Sequence, residues 1–437
     1  MMSSDQPFLD SNPRHHRISP LQLPRQLLRR LRARRLDRWA VAMLVVLASA
    51  LATIWLSGAA PVPVEDLSPG DDEVILERVP EVVAAEMRHL RLQRERLADD
   101  PENLPLALDL GWAFLHLLEA TGDVRFNGYL QSALAPWWEL TEPPHPVLLL
   151  RAAERRSVHD LKAATGDLEQ YLDLRPECAK GWLEQAELHR IRGDLEAARA
   201  GCRAAHRLAR EDPEIELRAA ACRALVDDLG NIWNYRRLRR QFRLAPTVED
   251  ATRVEVLSAL SELAMRWGRL EEAEDSLRQA LRSSPANIEL LARYADLLLD
   301  QDRSREVIQL LEDRTSVGTL LVRLAEAEQR LGLVAYQRHA ADLEARFAAA
   351  RREGSRRHLA DEARFRLRCQ QRSWEALRLA LSNWQRQRRP EDARLVLEAA
   401  WSARRPELAG PVLGFLDQTG WEEQRLARLA RRLEEVS

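Results

Sequence analysis

Lysine is nearly missing, with only Lys162 and Lys180 among 66 basic residues. A Walker loop requires Gly-Lys followed by Ser or Thr. Lys162 precedes Ala163, and Lys180 sits between Ala179 and Gly181, so P-loop nucleotide chemistry is excluded. No HExxH, GxSxG or GxGxxG occurs, which leaves metalloprotease, nucleophile-elbow and dinucleotide chemistries without a starting residue. Cysteine is confined to Cys178, Cys202, Cys222 and Cys369, with no CxxC pair, so a zinc ribbon, a thioredoxin motif and haem attachment have no support. Excess charge is absent too, with 66 basic against 68 acidic side chains. That balance disfavours a cationic nucleic-acid binder. Aromatics are 5% of the chain and glycine numbers 17, while Arg, Leu, Ala and Glu crowd every row, a mixture that favours helices over strands. The expectation is an all-α chain, and 437 residues point to several domains or one extended array.

No charged residue falls between Arg38 and Glu65. The stretch 39–60 (WAVAMLVVLASALATIWLSGAA) reads as one transmembrane helix, since about 20 apolar residues at ~1.5 Å rise cross a hydrocarbon core. Trp39 and Trp55 lie near its ends, where indoles favour the headgroup boundary. Residues 1–38 form an arginine-rich arm, including Arg29, Arg30, Arg32, Arg34, Arg35 and Arg38, whereas Glu65, Asp66, Asp71, Asp72 and Glu73 follow the span. The positive-inside rule then places the N-terminus in the cytoplasm and the remainder across the membrane, in the periplasm of a bacterium. A cleavable signal peptide is the rival reading, because Ser57, Gly58, Ala59 and Ala60 are small. The long arm, the long apolar run and Pro61 and Pro63 at the would-be cleavage point favour an uncleaved anchor. Leucines 21, 23, 27, 28, 31 and 36 among the arginines are read as part of the topology signal rather than a separate interfacial helix.

Residues 61–72 carry Pro61, Pro63, Pro69 and Gly70 among acids and read as a solvated linker, followed by a leading helix within 73–100. From 101 to 437 a pattern returns at about 34 residues. One copy spans 179–213 with Trp182, Ala186, Gly193, Ala198, Ala205 and Asp212-Pro213; another spans 254–287 with Leu257, Ala264, Gly268, Ala273, Leu277, Ala280 and Pro285. Fainter copies occupy 145–178 (Leu148, Ala152, Ala164, Leu168, Pro176) and 288–314 (Leu291, Ala295, Leu298, Leu311). Small residues at fixed offsets let two antiparallel helices approach closely, and Gly193 and Gly268 supply the turn. Stretches 104–134, 215–246, 315–350, 359–390 and 392–430 keep helical periodicity with only scattered signature positions.

This spacing resembles the tetratricopeptide repeat, and the resemblance implies a right-handed superhelix of helix-turn-helix units that binds peptides or partner domains along a concave face. Carried onto matching positions, that face is implied to include Lys180, Leu183, Glu187 and Arg190, then Glu255, Ser258, Glu262 and Met265, then Glu289, Ala292, Asp296 and Leu299. Lysine and asparagine of the family's carboxylate clamp are replaced by residues such as Leu183, Glu187, Ser258, Glu262, Ala292 and Asp296, so a clamp for a C-terminal carboxylate is not expected. The groove is expected to be mixed in charge near Lys180 and acidic near Asp296, suiting a basic partner segment or simply forming a solvated surface.

Cys202 and Cys222 fall on consecutive predicted helices in a compartment that permits disulfides; a bond between them and two small core thiols are both open readings. The ten histidines are scattered, and the one Glu-x-x-His, Glu86 to His89, lacks the second motif that a di-iron bundle needs. Trp137, Trp138, Trp384 and Trp401 are read as helix anchors rather than peptide-gripping rings. The arginine-rich runs 236–243 and 351–357 are read as solvated faces in preference to contacts with acidic partners or lipid headgroups. No catalytic residue, cofactor, metal, nucleic acid or small-molecule substrate is expected. The reading is a non-enzymatic, membrane-anchored periplasmic scaffold for a protein or peptide partner. Its alternatives are an apoprotein-holding factor of the cytochrome c assembly kind, a cytoplasm-facing regulator with reversed topology, and a metal-handling protein or enzyme using His89, His159 or the cysteines.

Overall fold

The computed structural model describes residues 81–437 apart from 210–211, 228–231, 246, 422 and 436–437. The expected arm, span and linker at 1–72 lie outside the described residues. Among the described residues no helix is long and apolar enough to cross a membrane. The chain divides into two units, Met1–Pro80 and Glu81–Ser437, and the second carries every described helix.

This second unit is an all-α, tetratricopeptide-like solenoid. Helix α1 (Glu81–Asp99) leads into a hairpin of α2 (Leu104–Thr121) and α3 (Arg125–Ala133), followed by the single turn α4 (Ala135–Trp138). Hairpins then succeed one another: α5 (His145–Ser157) with α6 (Leu161–Leu174), α7 (Ala179–Arg192) with α8 (Leu195–Leu208), and α9 (Pro213–Val226) with α10 (Ile232–Leu244). Next come α11 (Asp250–Arg266) with α12 (Leu270–Ser283), α13 (Ile288–Asp300) with α14 (Ser304–Leu311), and α15 (Gly318–Arg330) with α16 (Ala335–Arg352). The chain finishes with α17 (Leu359–Arg368), α18 (Ser373–Trp384), α19 (Pro390–Ser402), a short 3-10 turn (Pro406–Ala409), α20 (Gly410–Thr419) and α21 (Gln424–Glu434).

Local chemistry sets the helix ends. The side chains of Asn103, Asp160, Asp194, Asp212 and Asn287 each accept a hydrogen bond from a backbone N–H in the first turn of the next helix. Such caps contribute about 1 kcal/mol apiece. The α7–α8 turn is closed by Gly193 N–H donating to Arg190 O (3.1 Å) and Asp194 N–H to His189 O (2.9 Å), with Gly193 at φ 80°. The same left-handed turn recurs at His159, Asp302, Gln371 and Arg404, at φ 61°, 58°, 57° and 53°. The repeats at 145–178, 288–314, 359–390 and 392–430 therefore keep the backbone of the signature turn without its glycine.

Alanine brings the helices together. Ala186, Ala198, Ala264, Ala273 and Ala280 are all buried, and a Cβ on Gly201 would stand 3.1 Å from the Trp182 carbonyl across the α7–α8 contact. A single apolar core runs from Leu217 to Cys369, and a separate one from Leu90 to Ala153 covers the start. The core of the last helices contains one residue from far upstream, Leu195 at the start of α8. The solenoid thus winds back on itself. Arg388 N–H donates to Ile191 O (2.7 Å), and a side chain added at Gly193 would run into Arg388 and Phe415.

Candidate functional site: an inner charged cavity

The winding forms a part-open cavity of about 1350 Å³, whose lining draws on helices from α2 to α19 and on the segment that opens α21. Eight of the expected concave-face residues line it: Lys180, Glu255, Ser258, Glu262, Met265, Glu289, Ala292 and Asp296. The other four do not. Leu183 and Leu299 are buried, Leu183 packing with Ala205, Ile215 and Ala219 of the next helices and Leu299 in the central core. Glu187 and Arg190 are spent on one another at 2.7 Å, and Arg190 reaches on to Glu262 at 3.3 Å. These positions correct the simple projection of one helix face: in a tightly wound coil, some inward positions become contacts between repeats.

The electrostatics also differ from the groove expected to be mixed in charge near Lys180 and acidic near Asp296, because the chain's own arginines match its acids. Glu262 lies among Arg266 (2.7 Å), Arg190 (3.3 Å) and Arg293 (3.8 Å). Burial would raise its carboxyl, but the three guanidiniums overcome that and hold it at about 2. Glu289 is held at about 2 chiefly by Arg293, 2.7 Å away. Asp296 is bound by Arg364 (2.7 Å) and Arg323 (2.9 Å), which outweigh its burial and lower its pKa. Glu255 pairs with Arg218, yet burial dominates and pushes its carboxyl up. Near the other end, burial raises Glu119 against the pull of Arg156. Apart from Arg190, sequence reasoning missed these arginines because the repeat signature records small and apolar positions; Arg266 and Arg293, each one helical turn after Glu262 and Glu289, were the available signal.

The C-terminal helices close the trough rather than extending it. Asp300 of α13 receives two hydrogen bonds of 2.6 Å from Arg394 of α19 and a further one from Arg425 of α21. Arg266 lies 5.1 Å from the ring of Trp421. Across the opposite rim, Gln387 Nε2–H donates to His159 Nδ1 (3.0 Å) and Arg386 to the His159 carbonyl (3.1 Å). Burial, with nearby Arg389, pushes His159 down to about 4, so its imidazole is neutral and can accept. Asp392, at the start of α19, is pushed up to about 7 by burial and by Glu391.

Cys202 and Cys222 are joined as a disulfide between α8 and α9, with Cα atoms 5.7 Å apart. Cys178 and Cys369 are free thiols; the first accepts a hydrogen bond from the Tyr171 hydroxyl (3.2 Å), and burial pushes the second up to about 12. His89 is exposed on α1, and among the described residues no group of three or more His, Cys, Asp or Glu is placed to hold a metal ion. Trp384 is a buried anchor packed edge-on against Phe415 at 5.3 Å. Trp401 is half-buried beneath Arg432, while Trp137 and Trp138 pack on the N-terminal core.

Residues 264–316, spanning the end of α11 through α14, match the tetratricopeptide repeat family. No curated protein matches the chain. Among solved structures, the human IFIT1 dimer with m7Gppp-AAAA is 12% identical over 81% of this chain and 87% of that one, with a TM-score of 0.40. Yeast Tom70 is 11% identical over 81% and 86% at a TM-score of 0.30, and the P58(IPK) TPR domain is 16% identical over 80% and 98% at 0.20. None of these similarities bears on what this chain binds.

Proposed function

We propose that the protein is a non-enzymatic scaffold, held in a bacterial inner membrane by residues 39–60, whose periplasmic solenoid takes a segment of a partner polypeptide into its inner cavity. The observation that carries this reading is the cavity itself, walled by successive hairpins and lined by side chains of both signs. The pairing of its acids with the chain's own arginines changes the expected ligand. A purely basic segment would have to displace Arg293, Arg323 or Arg364. A segment carrying both signs, or polar and uncharged groups, can exchange partners without leaving a buried charge alone. The Cys202–Cys222 bond supports an oxidising compartment.

The test is photo-crosslinking in intact cells from a benzophenone amino acid placed at Ser258 or Met265 in the cavity, and at exposed Leu208 outside it. The reading expects a discrete partner from the cavity positions and none from Leu208. Capture only from Leu208 rejects it. A C-terminal alkaline phosphatase fusion is expected to be active; an inactive fusion moves the solenoid to the cytoplasm and favours the reversed-topology regulator. Stoichiometric metal in the purified protein would instead favour the metal-handling alternative.

A further inference from the structure

Helix α10 stands apart from the cavity, to which none of its residues contributes. Its sequence, IWNYRRLRRQFRL, holds five arginines and no acid. Tyr235 and Leu238 are buried in the central core and Phe242 packs against it, which fixes the helix and turns Trp233, Arg236, Arg237, Arg240, Arg243 and Leu244 outward. Trp233 is 65% exposed and Leu244 74%.

Some surface arginines elsewhere find carboxylates, as Arg346 does with Asp342. Arg351, in the other arginine-rich run, bonds Glu362. On α10, among the described residues, Arg239 reaches an acid, Glu272 at 3.7 Å. Among the described residues no carboxylate lies within ion-pair distance of Arg236, Arg240 or Arg243, and Arg236 instead sits 5.1 Å from the Trp233 ring. A row of guanidiniums without ion pairs among the described residues, flanked by an indole and a leucine, is the composition of a helix that lies in the interface of an anionic bilayer. The guanidiniums meet phosphates while the apolar groups enter the headgroup boundary.

We propose that the outer face of α10 docks on an anionic phospholipid surface and so sets how the solenoid lies against the membrane. The inference stands apart from the cavity reading and does not require it. It also holds whether or not residues 39–60 span the bilayer, although 20 residues from 61 to 80 reach at most about 70 Å and would keep the solenoid near a membrane that they tether.

The full chain is reconstituted with nanodiscs of phosphatidylcholine alone or with one quarter phosphatidylglycerol, and amide hydrogen exchange is followed across 232–244. Docking predicts exchange at least about tenfold slower in the phosphatidylglycerol discs and a return toward the phosphatidylcholine rate at high salt. It also predicts loss of the slowing in Arg236→Gln/Arg240→Gln/Arg243→Gln, whose substitutions are all exposed and whose fold is checked by circular dichroism. Equal exchange in the two lipids overturns the proposal, as does slowing that survives the triple substitution. Protection by soluble polyglutamate but not by phosphatidylglycerol assigns the face to an acidic protein and overturns it as well.

Discussion

The middle hairpins, α7 to α14, and the closing segment, α17 to α21, are built from the same helices but held by different means. In the middle, each helix packs on its neighbour in sequence through alanines such as Ala186, Ala198, Ala273 and Ala280. Contacts of this kind are local and encode a hairpin wherever the pattern occurs. The closing segment depends on partners far away in the chain: Asp300 with Arg394 and Arg425, His159 with Gln387, Ile191 with Arg388. Repeat spacing therefore specifies the unit, while single polar residues decide whether the coil stays open.

The largest effect should come from Glu262→Ala, in the middle hairpins. It leaves Arg190, Arg266 and Arg293 buried around a missing carboxylate, and breaking such a group costs about 3–5 kcal/mol. Urea unfolding should show that loss across the whole unit, because Glu262 sits in the middle hairpins. Asp300→Asn should act more narrowly. It removes the charge that gathers Arg394 and Arg425, at about 2 kcal/mol, and should speed hydrogen exchange in 390–434 while leaving 250–283 unchanged. Equal acceleration in both would mean that the closing segment is not a separate layer of stability.

The smallest effect is a pH dependence confined to the closure. Asp392 is pushed up from 3.8 to about 7 in the folded chain, so the folded state holds its proton more tightly and the contribution falls as pH rises from about 4 to about 7. His159 is pushed down from 6.5 to about 4; its contribution rises as pH rises through that range, so the two partly cancel. Asp392→Asn should therefore leave a protein whose stability rises more steeply between pH 4 and 6.5 than the wild type, and whose fall near pH 7 is gone. Identical pH profiles for the two proteins would refute the Asp392 assignment.

These differences also explain what could be read in advance. Gly193 and Gly268 announce their turns because a left-handed backbone suits glycine, and Asp194, Asp212 and Asn287 announce the helix starts by capping chemistry. Gln371 and Arg404 make the same turn without announcing it, which hid the repeats at 359–390 and 392–430. The inner face was legible at Ser258, Glu262 and Asp296 because the resemblance to the tetratricopeptide repeat implies a concave side there, and all three line the cavity. It failed at Leu183 and Leu299, where burial depends on how tightly successive hairpins wind. The arginine partners of Asp296 and Asp300 were not legible, since Arg323, Arg364 and Arg394 come from other helices and no short-range rule brings them there.

The central claim is that the end of the chain returns to close the coil, and the contact between His159 and Gln387 tests it most directly. In a His159→Cys/Gln387→Cys double variant of the full chain, a short bis-methanethiosulfonate linker should join the two positions, with the bridged peptides found by mass spectrometry before reduction. If both cysteines take a monofunctional reagent but the linker never spans them, the coil is open and the cavity is not closed off at this rim in solution.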